Sequence, residues 1–281
     1  MFTKKRIQRT LGSFVDSIIR RIIRILPRLT ASYFFRDDGK RLNILVVGVY
    51  LADRKNTAAQ LAREFSTSKH YKVTQHWAVI GKITPDPYLA SLTSVQVNGK
   101  IPRSIMINRL LSLTKLEEFD YLVVCDDDVV VRRGFLDLYL GLQTKHDLAL
   151  AQPARTKNSW IDHPITRQVA SLECRFTRFV EVGPVFSMHR SLFKDLLPLN
   201  TGSPMGWGLD FVWPLIVESM GKKMGIIDAT PVDHSLRQPK TGYANKVAGD
   251  EMRNFLAKTS HLSEAEAHVT LSEIKLGNSG F

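Results

Sequence analysis

Apolar residues fall along this chain in two rhythms, and the change between them marks its organisation. Over the first 29 positions Ile7, Leu11, Phe14, Val15, Ile18, Ile22, Ile25, Leu26 and Leu29 recur at three- and four-residue steps, while Arg20, Arg21 and Arg24 fall mostly on the other side. This spacing predicts a basic amphipathic helix ended near Pro27. RDDGKR at 36–41 then reads as a linker. From Asn43 the pattern changes to short unbroken apolar runs alternating with helical stretches. Asn43–Tyr50, NILVVGVY, predicts a core strand, Thr57–Phe65 a helix and Tyr71–Ile80 a second strand. Pro85, Asp86 and Pro87 mark an irregular connection, and Pro102–Leu113 predicts a helix that leads into an apolar run, Tyr121–Cys125, read as a third strand.

Beyond it, Gly134–Thr144 predicts a helix, Leu148–Gln152 a short strand, and Phe179–Met188 a strand interrupted at Gly183 and Pro184. A short helix at Arg190–Leu196 and a turn at Asn200–Pro204 follow. GWGLD at Gly206–Asp210 precedes a helix that Pro214 helps start, which puts Asp210 at the helix N-terminus. Met224–Ala229 reads as a strand, Thr230–Tyr243 as a long loop, and Gly249–Lys275 as polar and helical. Strand, helix, strand at the start speaks for an open α/β sheet, and the lack of a glycine-rich phosphate fingerprint speaks against a dinucleotide-binding Rossmann domain. The predicted division is residues 1–36, a basic helix and linker, and residues 37–281, one α/β domain.

The apolar run Tyr121–Cys125 ends in Asp126, Asp127 and Asp128. In an extended chain Asp126 and Asp128 project to one side and Asp127 to the other. Such an acidic pair is costly beside a hydrophobic sheet unless a cation compensates it, and oxygen ligands suit Mg²⁺ or Mn²⁺. A solvated acidic turn leaving a strand gives the same local pattern. Asp53, Arg54 and Lys55 follow the first strand, where open α/β sheets bind ligands and where solvated loops also lie.

Composition is ordinary for a globular domain, with 44% hydrophobic residues over 281 positions. Two cysteines, Cys125 and Cys174, without metal-ligand spacing fit a reducing compartment. The formal charge is +12, but residues 1–36 carry nine basic residues against one acid, leaving +4 for the other 245. The basicity therefore belongs to the N-terminal segment and does not predict a nucleic-acid partner. No apolar run is long enough to span a bilayer, and the arginines interrupt any signal-peptide core. These features predict a cytoplasmic protein whose first 30 residues either lie on an anionic membrane surface or pack on protein.

Several stretches in order, FDYLVVCDDDVVV at Phe119–Val131, AQPA at Ala151–Ala154, FVEVGPVFS at Phe179–Ser187, WGLD at Trp207–Asp210 and IIDATPVDH at Ile226–His234, resemble the GT-A class of nucleotide-sugar glycosyltransferases. They resemble more closely an uncharacterised GT-A-like family, over roughly residues 43–245. The resemblance implies a GT-A-like domain with a mixed, mainly parallel sheet flanked by helices. It implies metal-dependent transfer of a sugar from a nucleoside diphosphate sugar to a hydroxyl of a glycan or lipid-linked acceptor. Asp126 and Asp128 become ligands of Mn²⁺ or Mg²⁺, with His234 completing the shell, and Asp127 reaches the ribose or a backbone amine. Asp210 becomes the general base of an inverting reaction, its anion favoured by the helix N-terminus, although an ordinary N-cap occupies the same place. Arg237 and Lys240 bind the leaving diphosphate, Lys100 and Asn108 contact the donor, and Glu181 and Trp207 the acceptor. Two other readings stand beside this one: a non-catalytic nucleotide-sugar-binding protein, and an aspartate-dependent phosphatase or phosphotransferase. The latter resembles the acidic strand of haloacid-dehalogenase-type enzymes, in which that strand is the first of the domain, whereas here at least two strands precede it.

If the N-terminal segment binds membrane, deletion of residues 1–30 lowers partitioning onto anionic vesicles at low salt in a sedimentation assay; unchanged partitioning assigns the stripe to protein packing.

Overall fold

The computed structural model describes residues 41–81, 86–238 and 245–277, so the N-terminal amphipathic helix and Lys240 lie outside the described residues. Within them the strands are β1 (Asn43–Leu51), β2 (Lys72–Ile80), β3 (Thr93–Val97), β4 (Tyr121–Asp126), β5 (Leu148–Arg155), β6 (Leu172–Thr177), β7 (Val185–His189), β8 (Lys223–Val232) and β9 (Thr270–Lys275). The helices are α1 (Ala58–Ser66), α2 (Pro87–Ala90), α3 (Arg103–Ser112), α4 (Phe135–Lys145), α5 (Phe193–Leu196), α6 (Leu209–Ser219), α7 (Asn245–Leu256) and α8 (Glu264–Ala267). All the strands form one mixed sheet in the order β3-β2-β1-β4-β7-β5-β8-β6-β9.

β1 pairs in parallel with β2 on one side and β4 on the other, and β2 pairs in parallel with β3. The chain thus winds from β1 toward β3 and then returns to the opposite flank of β1, which makes the carboxyl ends of β1 and β4 the topological switch point, where open α/β sheets hold ligands. β7 runs antiparallel to both β4 and β5, β8 parallel to β5, and β6 antiparallel to β8 and β9. β1, β4 and β5 read as continuous apolar runs because helices cover both faces. Leu45, Val47, Leu122, Val124, Phe186 and Met188 share a core with Met106 and Leu110 of α3 and with Val212, Trp213 and Val217 of α6. Ser187, one residue out of phase, points to the other face, where its hydroxyl meets Tyr139 of α4 at 2.8 Å.

Four predicted elements come out differently. Of the expected irregular connection, Pro85 lies outside the described residues, while Asp86 caps α2 by accepting from the Tyr88 and Leu89 amides, and the chain goes on to the unpredicted strand β3. The interrupted strand at Phe179–Met188 keeps only Val185–His189, because Pro184 has no amide to donate to a ladder. Pro214 lies inside α6 rather than in its first turn, so the Asp210 carbonyl four residues earlier receives no bond from it. The polar stretch Gly249–Lys275 divides into α7, α8 and the edge strand β9, whose mostly exposed TLSEIK sequence has too little apolar period to announce a strand.

Asp228 of β8 is fully buried and forms a fork with Arg175 of β6: Nε to Oδ2 at 2.8 Å and Nη2 to Oδ1 at 3.0 Å. Arg175 also donates to the Ile165 and Arg167 carbonyls, and Asp228 accepts the Val169 amide, so this pair fastens the 165–169 segment to the sheet. Arg175→Met strands the buried carboxylate and is expected to cost about 3–5 kcal/mol, read as a lower urea midpoint with an unchanged m-value.

Candidate active site

β4 stops at Asp126 and the chain turns, so the alternation expected of an extended chain does not reach Asp127 and Asp128. Instead of Asp126 and Asp128 sharing a side, Asp127 and Asp128 converge and Asp126 faces elsewhere. Arg103, the first residue of α3, donates from Nε to Asp126 Oδ1 at 2.5 Å. Arg237, in the loop after β8, lies across the other two. Its Nη1 is 3.1 Å from Asp127 Oδ2 and Nη2 bonds Asp127 Oδ1, while Nε and Nη2 lie 3.2 and 3.0 Å from Asp128 Oδ2. Asp127 Oδ2 also accepts the Leu51 amide at 2.8 Å, which ties the triplet to the end of β1. The backbone bridge between Val130 and Asp233 and the Thr57 hydroxyl on the Asp127 and Val129 carbonyls fix the turn from both sides.

Burial pushes the Asp127 carboxyl up to about 6, with the Arg237 ion pair opposing it. Burial acts on Asp128 in the same direction, but the hydrogen bond from His234 and the charge of Arg237 outweigh it, and that carboxyl lies below its ordinary value. His234 Nε2 is 3.1 Å from Asp128 Oδ1, and its Nδ1 is 2.8 Å from Arg155 Nη1. Arginine only donates, so Nδ1 must accept and the ring proton sits on Nε2, facing Asp128. This revises the expectation for His234: in this tautomer it offers the triplet a proton, whereas a metal-ligating imidazole needs a lone pair there and a donating hydrogen on its far nitrogen. The clustered carboxylates suit a hard divalent cation, and the imidazole as held by Arg155 does not. Among the described residues, no group of three ligand side chains with donor atoms within 4.8 Å of one another includes the triplet or His234.

Arg155, at the end of β5, is buried and joins the two halves of the site. Besides His234 it donates to Glu181 Oε2 at 2.5 Å and to the Trp160 and Gly183 carbonyls at 3.1 and 3.0 Å. A continuous line of polar contacts therefore runs from Glu181 through Arg155, His234 and Asp128 to Arg237 and Asp127. Glu181 is pushed up by burial, with Arg155 opposing. At Gly183 the backbone passes close to the triplet: a Cβ there would lie 3.2 Å from Asp126 Oδ2, and the carboxylate would have to give by a few tenths of an ångström.

Asp210 is the second residue of α6 and is buried, and its Oδ1 has no hydrogen-bond partner among the described residues. The helix start was expected to favour its anion. Burial and the neighbouring Glu181 charge instead push the carboxyl up to about 8, against the backbone amides of the helix start. Trp207 is half-buried between Gly206 and Gly208, whose φ angles of +86° and +90° form a turn that side-chain-bearing residues rarely adopt. Buried atoms without partners gather on this flank: Arg103 Nη2, Ser104 Oγ and Ser203 Oγ, with Ser104 Oγ 3.2 Å from where a Cβ on Gly206 would sit.

Asn108 is corrected as a donor contact, because its amide is committed in both directions to the Leu199 backbone, at 2.8 Å each way. Lys100 is exposed in the loop between β3 and α3. Sequence reasoning missed Arg103 and Arg155. Each stands at the edge of a predicted element, directly after Pro102 and directly after AQPA, and a lone arginine at an element end carries no local signal of its partner.

Neither a protein-family model nor a curated protein sequence matches the chain. Similar solved structures include GalNAc-T7 with UDP, GalNAc and Mn²⁺, at 15% identity and a TM-score of 0.54 over 78% of this chain. Another is S. aureus TarS 1–349 in complex with UDP-GlcNAc, at 11% identity and a TM-score of 0.50 over 80% of this chain. The match spans about half of the first structure's chain, 48%, and 68% of the second. The likeness shows the fold, a single GT-A-like α/β domain with a mixed sheet flanked by helices.

The raised Asp210 carboxyl predicts a pH signature. The native state holds a proton that the unfolded chain releases near 3.8, so stability is highest at low pH in this respect and falls as pH rises toward about 8. Asp210→Asn is expected to flatten this fall, by up to about 1.4 kcal/mol per pH unit, in urea midpoints compared from pH 5 to 9. Parallel curves for the two proteins would show that Asp210 is ionised in the fold.

Proposed function

We propose that this chain transfers a sugar from a nucleoside diphosphate sugar to a hydroxyl of a glycan or lipid-linked acceptor, with inversion at the sugar. One observation carries the reading: the three carboxylates stand at the β1–β4 switch point with Arg237 laid across two of them. The UDP and UDP-GlcNAc in the two similar structures support a nucleotide-sugar donor, and the Mn²⁺ in the first supports a divalent ion. Three strands precede β4, which counts against the nucleophilic first-strand aspartate of the phosphatase reading.

Asp128, with Asp127 converging on it, would hold Mn²⁺ or Mg²⁺, which would supply Lewis-acid neutralisation of the diphosphate, while Asp126 stays with Arg103. Arg237 brings a second positive charge to the same place and is the group best positioned to follow the leaving diphosphate. His234, oriented by Arg155, positions Asp128 through its Nε2 hydrogen. Asp127 anchors the turn to Leu51 and Arg237. On the acceptor side, Asp210 takes the hydroxyl proton as the acceptor oxygen bonds to the anomeric carbon. The bond from that carbon to the β-phosphate oxygen breaks, and its electron pair leaves with the nucleoside diphosphate. A carboxyl held near 8 is well matched to this task, because a base works best with a pKa near the working pH. The orphaned Asp210 Oδ1 gives an acceptor hydroxyl somewhere to bond. Glu181 and Trp207 flank it. The basic N-terminal segment, if it binds membrane, favours a lipid-linked acceptor.

A panel of nucleoside diphosphate sugars screened by thermal shift, with Mn²⁺ or with EDTA, tests this directly. The expected outcome is metal-dependent stabilisation by one donor class, lost in Asp128→Asn. Asp210→Asn keeps that stabilisation and lowers turnover by about 10²–10⁴, and wild-type turnover rises with pH through about 8. A metal-independent shift that survives Asp128→Asn would remove the triplet from the donor site.

A further inference from the structure

Away from the triplet, His163, Glu264 and His268 can each offer a ligand atom such that the three lie within 4.8 Å of one another; they form the sole such group among the described residues. His163 ends the loop after β5, where Thr166 bonds its carbonyl through both amide and hydroxyl and fixes the backbone. Glu264 opens α8, held by a capping box between Ser263 and Glu266. His268 follows one turn later, its amide bonded to the Glu264 carbonyl, so the two side chains share a face and Nδ1 lies 3.6 Å from Oε1. The two imidazole rings meet edge to face at 5.1 Å, and Phe179 packs on both at 4.7 Å.

His163 Nδ1 and His268 Nε2 are buried and have no hydrogen-bond partner among the described residues. Two such orphaned ring nitrogens in one small cluster are an uncompensated desolvation cost, and a bound ion is one of the few explanations for them. We propose that His163, Glu264 and His268 form a zinc-class metal site, independent of the diphosphate chemistry, that clamps α8 and the following edge strand β9 to the loop after β5.

Two imidazoles and a carboxylate are a donor set that suits Zn²⁺ and its neighbours in the transition series rather than Mg²⁺ or Ca²⁺. Tetrahedral Zn²⁺ with ligands near 2.0–2.1 Å places its donor atoms roughly 3.3 Å apart, so closing from the present spacing takes only a small contraction. The Glu264 side chain is 70% exposed, which gives an ion a route in and water a place as fourth ligand. The clamp bears on the acceptor side of the candidate site: Phe211, packed against both histidines, follows Asp210, and Phe179 lies two residues before Glu181.

The test uses the full chain stripped with EDTA and titrated with Zn²⁺ against a chromogenic chelator. One Zn²⁺ per chain is expected, with a higher melting temperature. His163→Gln, His268→Gln and the milder Glu264→Gln each weaken binding by about tenfold or more, while Asp128→Asn retains it. Co²⁺ in the unaltered protein should give the intense visible bands of a four-coordinate site, a readout that no misfolded variant can confuse. Absence of stoichiometric Zn²⁺, retention in all three variants, loss in Asp128→Asn, or the weak spectrum of six-coordinate Co²⁺ would each overturn the proposal. All these readouts are separate from sugar transfer, so failure here and failure of the transferase reading are distinguishable.

Discussion

Each of the three carboxylates that close β4 has to be met by positive charge, and the chain draws that charge from remote segments. An ionised carboxylate removed from water without a partner costs several kcal/mol, more than a single turn can offset by backbone bonds alone. Arg132 and Arg133 stand nearest in sequence but are exposed. The charge comes instead from Arg103 at the start of α3 and from Arg237 beyond β8. Those ion pairs pull the connection after β3 and the loop after β8 onto the end of β4, and so they shape the rim of the candidate site. The charges at the end of β4 are therefore already paired with one another.

Arg155 extends the same constraint to the other flank. Its contacts with His234 and Glu181 couple the tautomer at the triplet to Glu181, the carboxylate beside Asp210. Asp210 illustrates how magnitudes decide between opposing effects. The amides of a helix start favour its anion by a few tenths to about 1 kcal/mol at an exposed site. Full burial beside a second carboxylate acts more strongly in the other direction, and the carboxyl rises to about 8. A position that reads from sequence as an anion-favouring cap becomes, in the fold, a carboxyl that holds its proton up to about pH 8.

The parts of the fold that were legible share one property: their burial is written in their own residues. Asn43–Leu51 and Tyr121–Asp126 carry near-continuous apolar runs, the mark of strands buried on both faces, and Lys72–Ile80 is recognisable by its apolar end, Trp77–Ile80. β3 and β9 were not legible because each is an edge or near-edge strand of mixed polarity, stabilised by pairing with a neighbour rather than by its own burial. Asn108 shows the same limit for side chains. An amide in a helix before the acidic strand invites a ligand role, but where its two ends go depends on Leu199, 91 residues away.

The sequence by itself determined the chemistry available at the end of β4: three carboxylates after a core strand, a histidine and an arginine in a late loop, and a carboxylate behind two glycines. Those are local facts, fixed by which residues adjoin which. The tertiary structure alone decided how they are used. It paired Asp127 with Asp128 rather than Asp126 with Asp128, because the strand ends one residue too early for alternation to hold. It also brought Arg103 and Arg155 into the site, turned the His234 proton toward Asp128, and buried Asp210 beside Glu181. Each of these depends on segments far apart in sequence coming within 3 or 4 Å, and the strength of a charge or hydrogen bond is set by that separation and by the water excluded from it.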